Sequence, residues 1–108
     1  MSDAFSDREK AMEDKWAHDE ELRFRVLSRR NRLLGLWAAG EMGLQADAAE
    51  AYARAIVQTE VNRDGEEAVF QKIRNDFSGA GIARTDHFIR GRMDAFLAIA
   101  KDEVMKEG

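Results

Sequence analysis

The sequence of 108 residues contains no proline, and this absence constrains the fold more than any other feature. Proline ends or kinks helices, so a chain without it can form long, uninterrupted helices. The sequence is rich in alanine, glutamate, arginine and leucine, which favour helix, and no alternating run of β-branched residues favours a strand. We therefore predict an all-α protein, and the length is that of a single domain.

Capping residues and glycines divide the chain into helices. The acidic group from Asp19 to Glu21 suits the N-terminus of a first helix, where the helix dipole favours negative charge. Capping-box spacing predicts the next two starts, at Asp47 and Asp64, and Thr85 is the predicted cap of the last helix. These signals predict four helices, at about 19–42, 47–62, 65–78 and 85–106.

Each predicted helix carries an apolar stripe at helical spacing. The stripes comprise Leu22, Val26, Leu33 and Trp37, with Leu27 and Leu34 beside them; Tyr52, Ile56 and Val57; Val69, Ile73 and Phe77; and Ile89, Met93, Phe96, Ala100 and Val104. Four amphipathic helices with short links predict a small four-helix bundle over residues 19–108. We interpret the stripes as core packing, with Trp37 as a core anchor.

Residues 1–18 differ from the bundle. Phe5, Met12 and Trp16 share one face if this segment is helical, but that face lies about a quarter-turn from the stripe of the first bundle helix. One straight helix therefore cannot bury both stripes in one core. Because the segment is dense in charge and short, an isolated helix there is marginal. We predict a mobile or partly helical arm that orders on a partner, and fraying of an ordinary terminus is the alternative.

Charge is mixed and unevenly distributed. The formal net charge is −4, which argues against a general nucleic-acid coat protein. Five arginines and no acid lie between Arg23 and Arg32. Such a run can bind RNA phosphates, or its side chains can pair with acidic residues of neighbouring helices. We favour this second interpretation. Phe24 lies nearly opposite the core stripe, as an isolated surface aromatic or as part of a contact patch.

The sequence offers no recognisable catalytic or metal-binding pattern. It has no cysteine, and neither His18 nor His87 has a partner at a convincing ligand spacing. No serine lies in a nucleophile elbow, and the glycine pair at 79–81 lacks the ending of a phosphate-binding loop. We therefore predict no enzymatic activity, no cofactor and no metal. Because the first residues are charged and no run of about 18 apolar residues occurs, we also expect neither export nor membrane insertion.

Several strings in the sequence resemble a known family. They are Phe5, Asp7, Arg8, Glu9, Ala11, Glu13 and Lys15, then AHDEELRF at 17–24, RRN at 29–31, LLGLWAA at 33–39, EAYA at 50–53, VFQKIR at 69–74 and DH at 86–87. Together they resemble the zeta subunit of alphaproteobacterial F-type ATP synthases over almost the full chain. The resemblance implies a four-helix bundle and a non-catalytic inhibitor of ATP hydrolysis. Its N-terminal arm would insert as a helix into a subunit interface of the catalytic head.

The resemblance also implies partners and site residues. The partners would be the alpha, beta and gamma subunits of the head, and the protein would be cytoplasmic and peripheral to the inner membrane through the synthase. The apolar residues of the arm would fill a groove, and its basic residues would pair with acids. The expected partner-binding residues are Phe5, Arg8, Glu9, Lys10, Met12, Lys15, Trp16 and Phe24. The alternative function is a small helical adaptor, or an RNA-associated protein that uses the run from Arg23 to Arg32.

Overall fold

The computed structural model of the chain describes residues 19–62 and 65–107. These residues form four helices, α1 (Glu20–Glu41), α2 (Ala46–Asn62), α3 (Glu66–Gly79) and α4 (Asp86–Lys106). No strand occurs within the two described ranges. The predicted all-α, four-helix class is therefore confirmed. The predictions made for residues 1–18 lie outside the described residues.

Two helices begin where the sequence predicts, and each has a side-chain cap. Asp19 has extended backbone, and its Oδ1 accepts a hydrogen bond from the backbone N–H of Leu22 at 3.0 Å. The Oγ1 of Thr85 accepts from the N–H of Phe88 at 3.0 Å in the same way. Both side chains satisfy an N–H that has no partner within the helix.

The starts of the two middle helices agree less well with the prediction. α2 begins at Ala46, one residue before Asp47, and the Glu50 carboxylate pairs with Arg32 at 3.1 Å on α1. The predicted start is thus one residue late, and Asp47 lies in the first turn of α2 and is not its N-cap. α3 follows Gly65, whose φ of +70° suits glycine, and no side chain caps it; Asp64, its predicted cap, lies outside the described residues.

The core lies where the four helices meet. Its buried residues are Leu34, Ala38, Ile56, Val69, Phe70, Ile73, Phe77, Ile89 and Met93. A smaller cluster of Leu22, Val26, Ala100 and Val104 joins the first half of α1 to the last half of α4. The predicted stripe of α3 is fully buried, and that of α4 is buried except for Phe96, which is partly exposed.

The core face of α1 differs from the prediction. Leu33 and Trp37 are only partly buried, whereas Leu34 and Ala38 are fully buried. The cause is the close packing of α1 on α2, where a Cβ added to Gly35 would lie 2.7 Å from the Cα of Ala53. This approach turns the side of α1 that carries Leu34 inward. Trp37 is therefore left at the margin of the core, where its ring meets Phe77 edge-on at 5.6 Å.

The described residues form an elongated body of 49 × 26 × 26 Å. Within that body, no helix combines the length and the apolar character needed to cross a membrane.

Candidate protein-interaction surface

The arginine run of α1 is engaged within the bundle. Arg29 donates to Glu103 at 3.0 Å and also to Glu107, and Arg25 donates to Glu107 at 3.3 Å, so both arginines join α1 to the end of α4. The hydrogen bond from Arg29 holds the pKa of Glu107 below its usual value, and Glu107 in turn raises the pKa of Arg29. Carboxylates therefore already pair with these two guanidinium groups, which makes them less available to phosphates.

Arg30, in the middle of the run, is completely buried. Its Nε donates to Asn31 Oδ1 at 2.6 Å, and its two terminal nitrogens donate to Glu60 at 3.2 Å and to Glu66 at 3.0 Å. Asn31 closes the network by donating to the other oxygen of Glu60 at 3.0 Å. The network links α1, α2 and α3, and it satisfies a charge that could not otherwise be buried.

An open groove of about 230 Å³ lies between α1 and α2 beside this network. It is lined by Phe24, Leu27, Ser28, Asn31, Val57 and Glu60, and we call it the Phe24 groove. Phe24 is 59% exposed, more than any other large apolar side chain in the described ranges. Phe24 therefore lines a concave, mostly apolar surface, and its role in contacting a partner stays a prediction.

Of the eight residues predicted to bind a partner, the structure describes Phe24 alone. The other seven, Phe5, Arg8, Glu9, Lys10, Met12, Lys15 and Trp16, lie outside the described residues, so their arrangement stays a prediction. Leu27 and Val57 were predicted to lie in the core, and no pattern singled out Glu60, whereas all three line the groove. A groove between two helices depends on how they pack against each other, and no local pattern signals that.

The described ranges contain no arrangement suited to metal binding, since no group of three or more His, Asp or Glu side chains lies close enough there to hold an ion. The Tyr52 hydroxyl donates a hydrogen bond to a carboxylate oxygen of Asp76 at 2.8 Å. Burial, and secondly the carboxylate of Asp76, raise its pKa. The Tyr52 hydroxyl therefore stays protonated, and its hydrogen bond to Asp76 joins α2 to α3.

The fold and the surface define a small helical bundle with an open, mostly apolar groove between α1 and α2. A family model described as ATPase inhibitor subunit zeta matches residues 1–103, and the chain belongs to this family. The resemblance in the sequence is thereby confirmed. Membership supports an inhibitory role related to ATP synthase.

Comparison with solved structures agrees with this assignment. Three chains match. One of them, determined in solution by NMR, is 33% identical, with a TM-score of 0.69, over 81% of this chain and 99% of its own length. A search of curated proteins finds no match.

Proposed function

We propose that this protein is a regulatory, non-catalytic subunit that inhibits ATP hydrolysis by the F-type ATP synthase. The observation that carries the proposal is the match to the inhibitor zeta family, which extends over residues 1–103 and so includes both the arm and the bundle. The site of action is the cytoplasmic face of the inner membrane, where the protein is held by the synthase and not by insertion into lipid.

The inhibitory element is the arm of residues 1–18, which inserts as a helix among the alpha, beta and gamma subunits of the head. Phe5, Met12 and Trp16 fill an apolar groove there, as amphipathic helices do on their targets. The basic side chains Arg8, Lys10 and Lys15 pair with acidic subunit surface. Glu9, three residues after Ser6, completes a capping box that favours the start of this helix.

The geometry at Asp19 supports a separate arm. Asp19 has extended backbone (φ −113°, ψ 101°), and α1 begins only at Glu20. Because α1 has its own N-cap, the proposed helix of the arm can take its own direction. This agrees with the mismatch between the apolar face of the arm and that of α1, because a change of direction allows the two faces to bury against different surfaces.

The Phe24 groove extends the contact from the arm to the bundle. Phe24 follows Asp19 by five residues, which is about 7–8 Å along a helix. A head subunit that holds the end of the arm therefore lies beside this ring. The apolar lining from Leu27 and Val57 suits an apolar side chain of that subunit.

The test is ATP hydrolysis by the cognate catalytic head, measured with increasing amounts of full-length protein. Wild-type protein should inhibit. Phe5→Ala and Trp16→Ala should each raise the half-inhibitory concentration by about tenfold or more, because each removes a large apolar side chain worth about 1.5–3 kcal/mol when buried. Asn75→Ala, on the exposed surface of α3, is the matched control and should inhibit as the wild type does. An absence of inhibition by the wild type would contradict the proposal.

The alternative, an RNA-associated adaptor, requires guanidinium groups that are available to phosphates. The pairing of Arg25, Arg29, Arg30 and Arg32 with carboxylates weighs against it. A pull-down from the cell's own lysate distinguishes the two functions, since head subunits should dominate in one case and RNA in the other.

A further inference from the structure

A second apolar surface lies along the line where α1 meets α4. Phe88 and Ile99 on α4 are 43% and 45% exposed. They are eleven residues apart, which places them on the same side of the helix. The Trp37 ring of α1 lies 6.1 Å from Phe88 and 6.4 Å from Phe96. We call this surface, which comprises Trp37, Phe88, Arg92, Phe96 and Ile99, the α1/α4 seam.

Arg92 lies among these apolar groups and has no carboxylate partner among the described residues. Its guanidinium carbon lies 5.5 Å from the centre of the Trp37 ring and 4.9 Å from that of Phe96. Its Nε is buried and has no hydrogen-bond acceptor. Arg90 provides the contrast, since it stacks on Phe70 at 3.7 Å and also pairs with Glu67 at 3.0 Å. Arg92 therefore has aromatic contacts like those of Arg90, but it has no carboxylate partner among the described residues.

This combination is typical of the centre of a protein–protein interface. Tryptophan and arginine are the residues that most often carry binding energy, and they do so when surrounding apolar groups exclude water. A partner that covered the seam with apolar side chains alone would bury an unpaired guanidinium, which is strongly unfavourable. The complementary partner must therefore bring a carboxylate to Arg92 and apolar side chains to Phe88 and Ile99.

The aromatic end of the seam lies far from Phe24. Trp37 follows Phe24 by thirteen residues, so these two side chains lie about 20 Å apart along α1. Two contacts at that separation fix the direction of α1, and hence the direction in which the arm leaves the bundle. A single contact near the arm would leave the bundle free to pivot.

We propose that the α1/α4 seam anchors the bundle to the synthase head, by binding a segment of a head subunit that presents an Asp or Glu carboxylate among apolar side chains. The proposal rests on the proposed function above, because it takes the head as the partner. It also assigns separate roles to the two parts of the chain. The seam contributes affinity but does not block hydrolysis, whereas the arm both contributes affinity and blocks hydrolysis once the protein is bound.

The test measures the Kd of full-length protein for the cognate head and, in the same preparations, the maximal inhibition at saturating concentration. Arg92→Gln should raise the Kd by about tenfold, and Phe88→Ala and Ile99→Ala by several-fold each. Arg54→Gln removes the charge of an exposed arginine on α2, outside the seam, and should leave the Kd within about twofold of the wild type. Every seam variant should still reach wild-type maximal inhibition, because its arm is intact.

Phe88 and Ile99 are exposed, so their replacement by alanine leaves the core intact, which far-UV circular dichroism verifies. If the wild type binds the head but all three seam variants keep its Kd, the seam proposal is overturned and the proposed function stands. Unchanged Kd values with reduced maximal inhibition would overturn the division of roles. If the wild type does not bind the head at all, the proposed function fails, and the choice of partner for the seam fails with it.

Discussion

Two arginines on α1 provide a matched test of how burial changes the contribution of an ion pair to stability. Arg30 is completely buried and pairs with Glu60 on α2 and Glu66 on α3. Arg32, two residues later, pairs with Glu50, also on α2, and its side chain is 48% exposed. Both pairs join α1 to α2, so the two substitutions differ mainly in the solvent access of the charges.

We expect Arg30→Ala to lower the free energy of unfolding by about 3–5 kcal/mol. The substitution leaves Glu60, whose side chain is only 13% exposed, without its guanidinium, and it opens a cavity in the network. Glu66 is 57% exposed, so water can replace its partner, which favours the lower part of this range. Arg32→Ala should cost less than about 1 kcal/mol, since both members of its pair are solvated.

Urea denaturation followed by far-UV circular dichroism measures both effects. For a domain of this size the slope is about 1 kcal/mol per molar urea, so Arg30→Ala should lower the midpoint by roughly 3 M and Arg32→Ala by less than about 1 M. The slopes of the two variants should match that of the wild type. Equal midpoint losses in the two variants would refute the argument that burial sets the contribution of the pair.

Three further predictions concern packing, pH and association. Gly35→Ala should destabilise the bundle by about 1–3 kcal/mol, because the added Cβ meets the backbone of α2. Gly91→Ala should stabilise it by up to about 1 kcal/mol, because the space around Gly91 is open and alanine favours helix. The denaturant midpoints of the two variants should therefore move in opposite directions. Because the pKa of Tyr52 is raised, the stability that depends on its neutral form is present below its ordinary pKa of 10.0 and is lost as the pH rises above it. Tyr52 is the single tyrosine of the chain, so its absorbance should change only with unfolding at high pH, and Asp76→Asn should lower the pH of that change; ordinary titration in the folded protein would contradict this reasoning. Lys15→Glu should slow association with the head and change its salt dependence, as stopped-flow measurements at two ionic strengths would detect.

Local signals in the sequence were sufficient to predict the number and order of the four helices. A cap acts within three residues, as at Asp19 and Thr85, so its pattern is visible in a short window. The apolar periodicity of α3 and α4 likewise identified most of their buried residues, because it depends only on the pitch of one helix. The four-helix class follows from these two kinds of signal.

The contacts between helices could not be predicted in the same way. The carboxylate partners of Arg30 lie 30 and 36 residues away, and only the packing of α1 on α2 and α3 brings them together. The close approach at Gly35 also determines which side of α1 faces the core. Trp37 was predicted to lie in the core, but it lies at the margin. Phe24 was identified because its place on α1 is a local property, but the rest of its groove belongs partly to α2.

The most direct test of the account compares full-length protein with protein that lacks residues 1–17. Both are titrated into the cognate catalytic head, while ATP hydrolysis and binding are measured on the same samples. We expect the full-length protein to bind and inhibit, and the truncated protein to stay folded and bind but to leave hydrolysis at its uninhibited rate. Equal inhibition by the two forms would place the inhibitory element in the bundle and contradict the account.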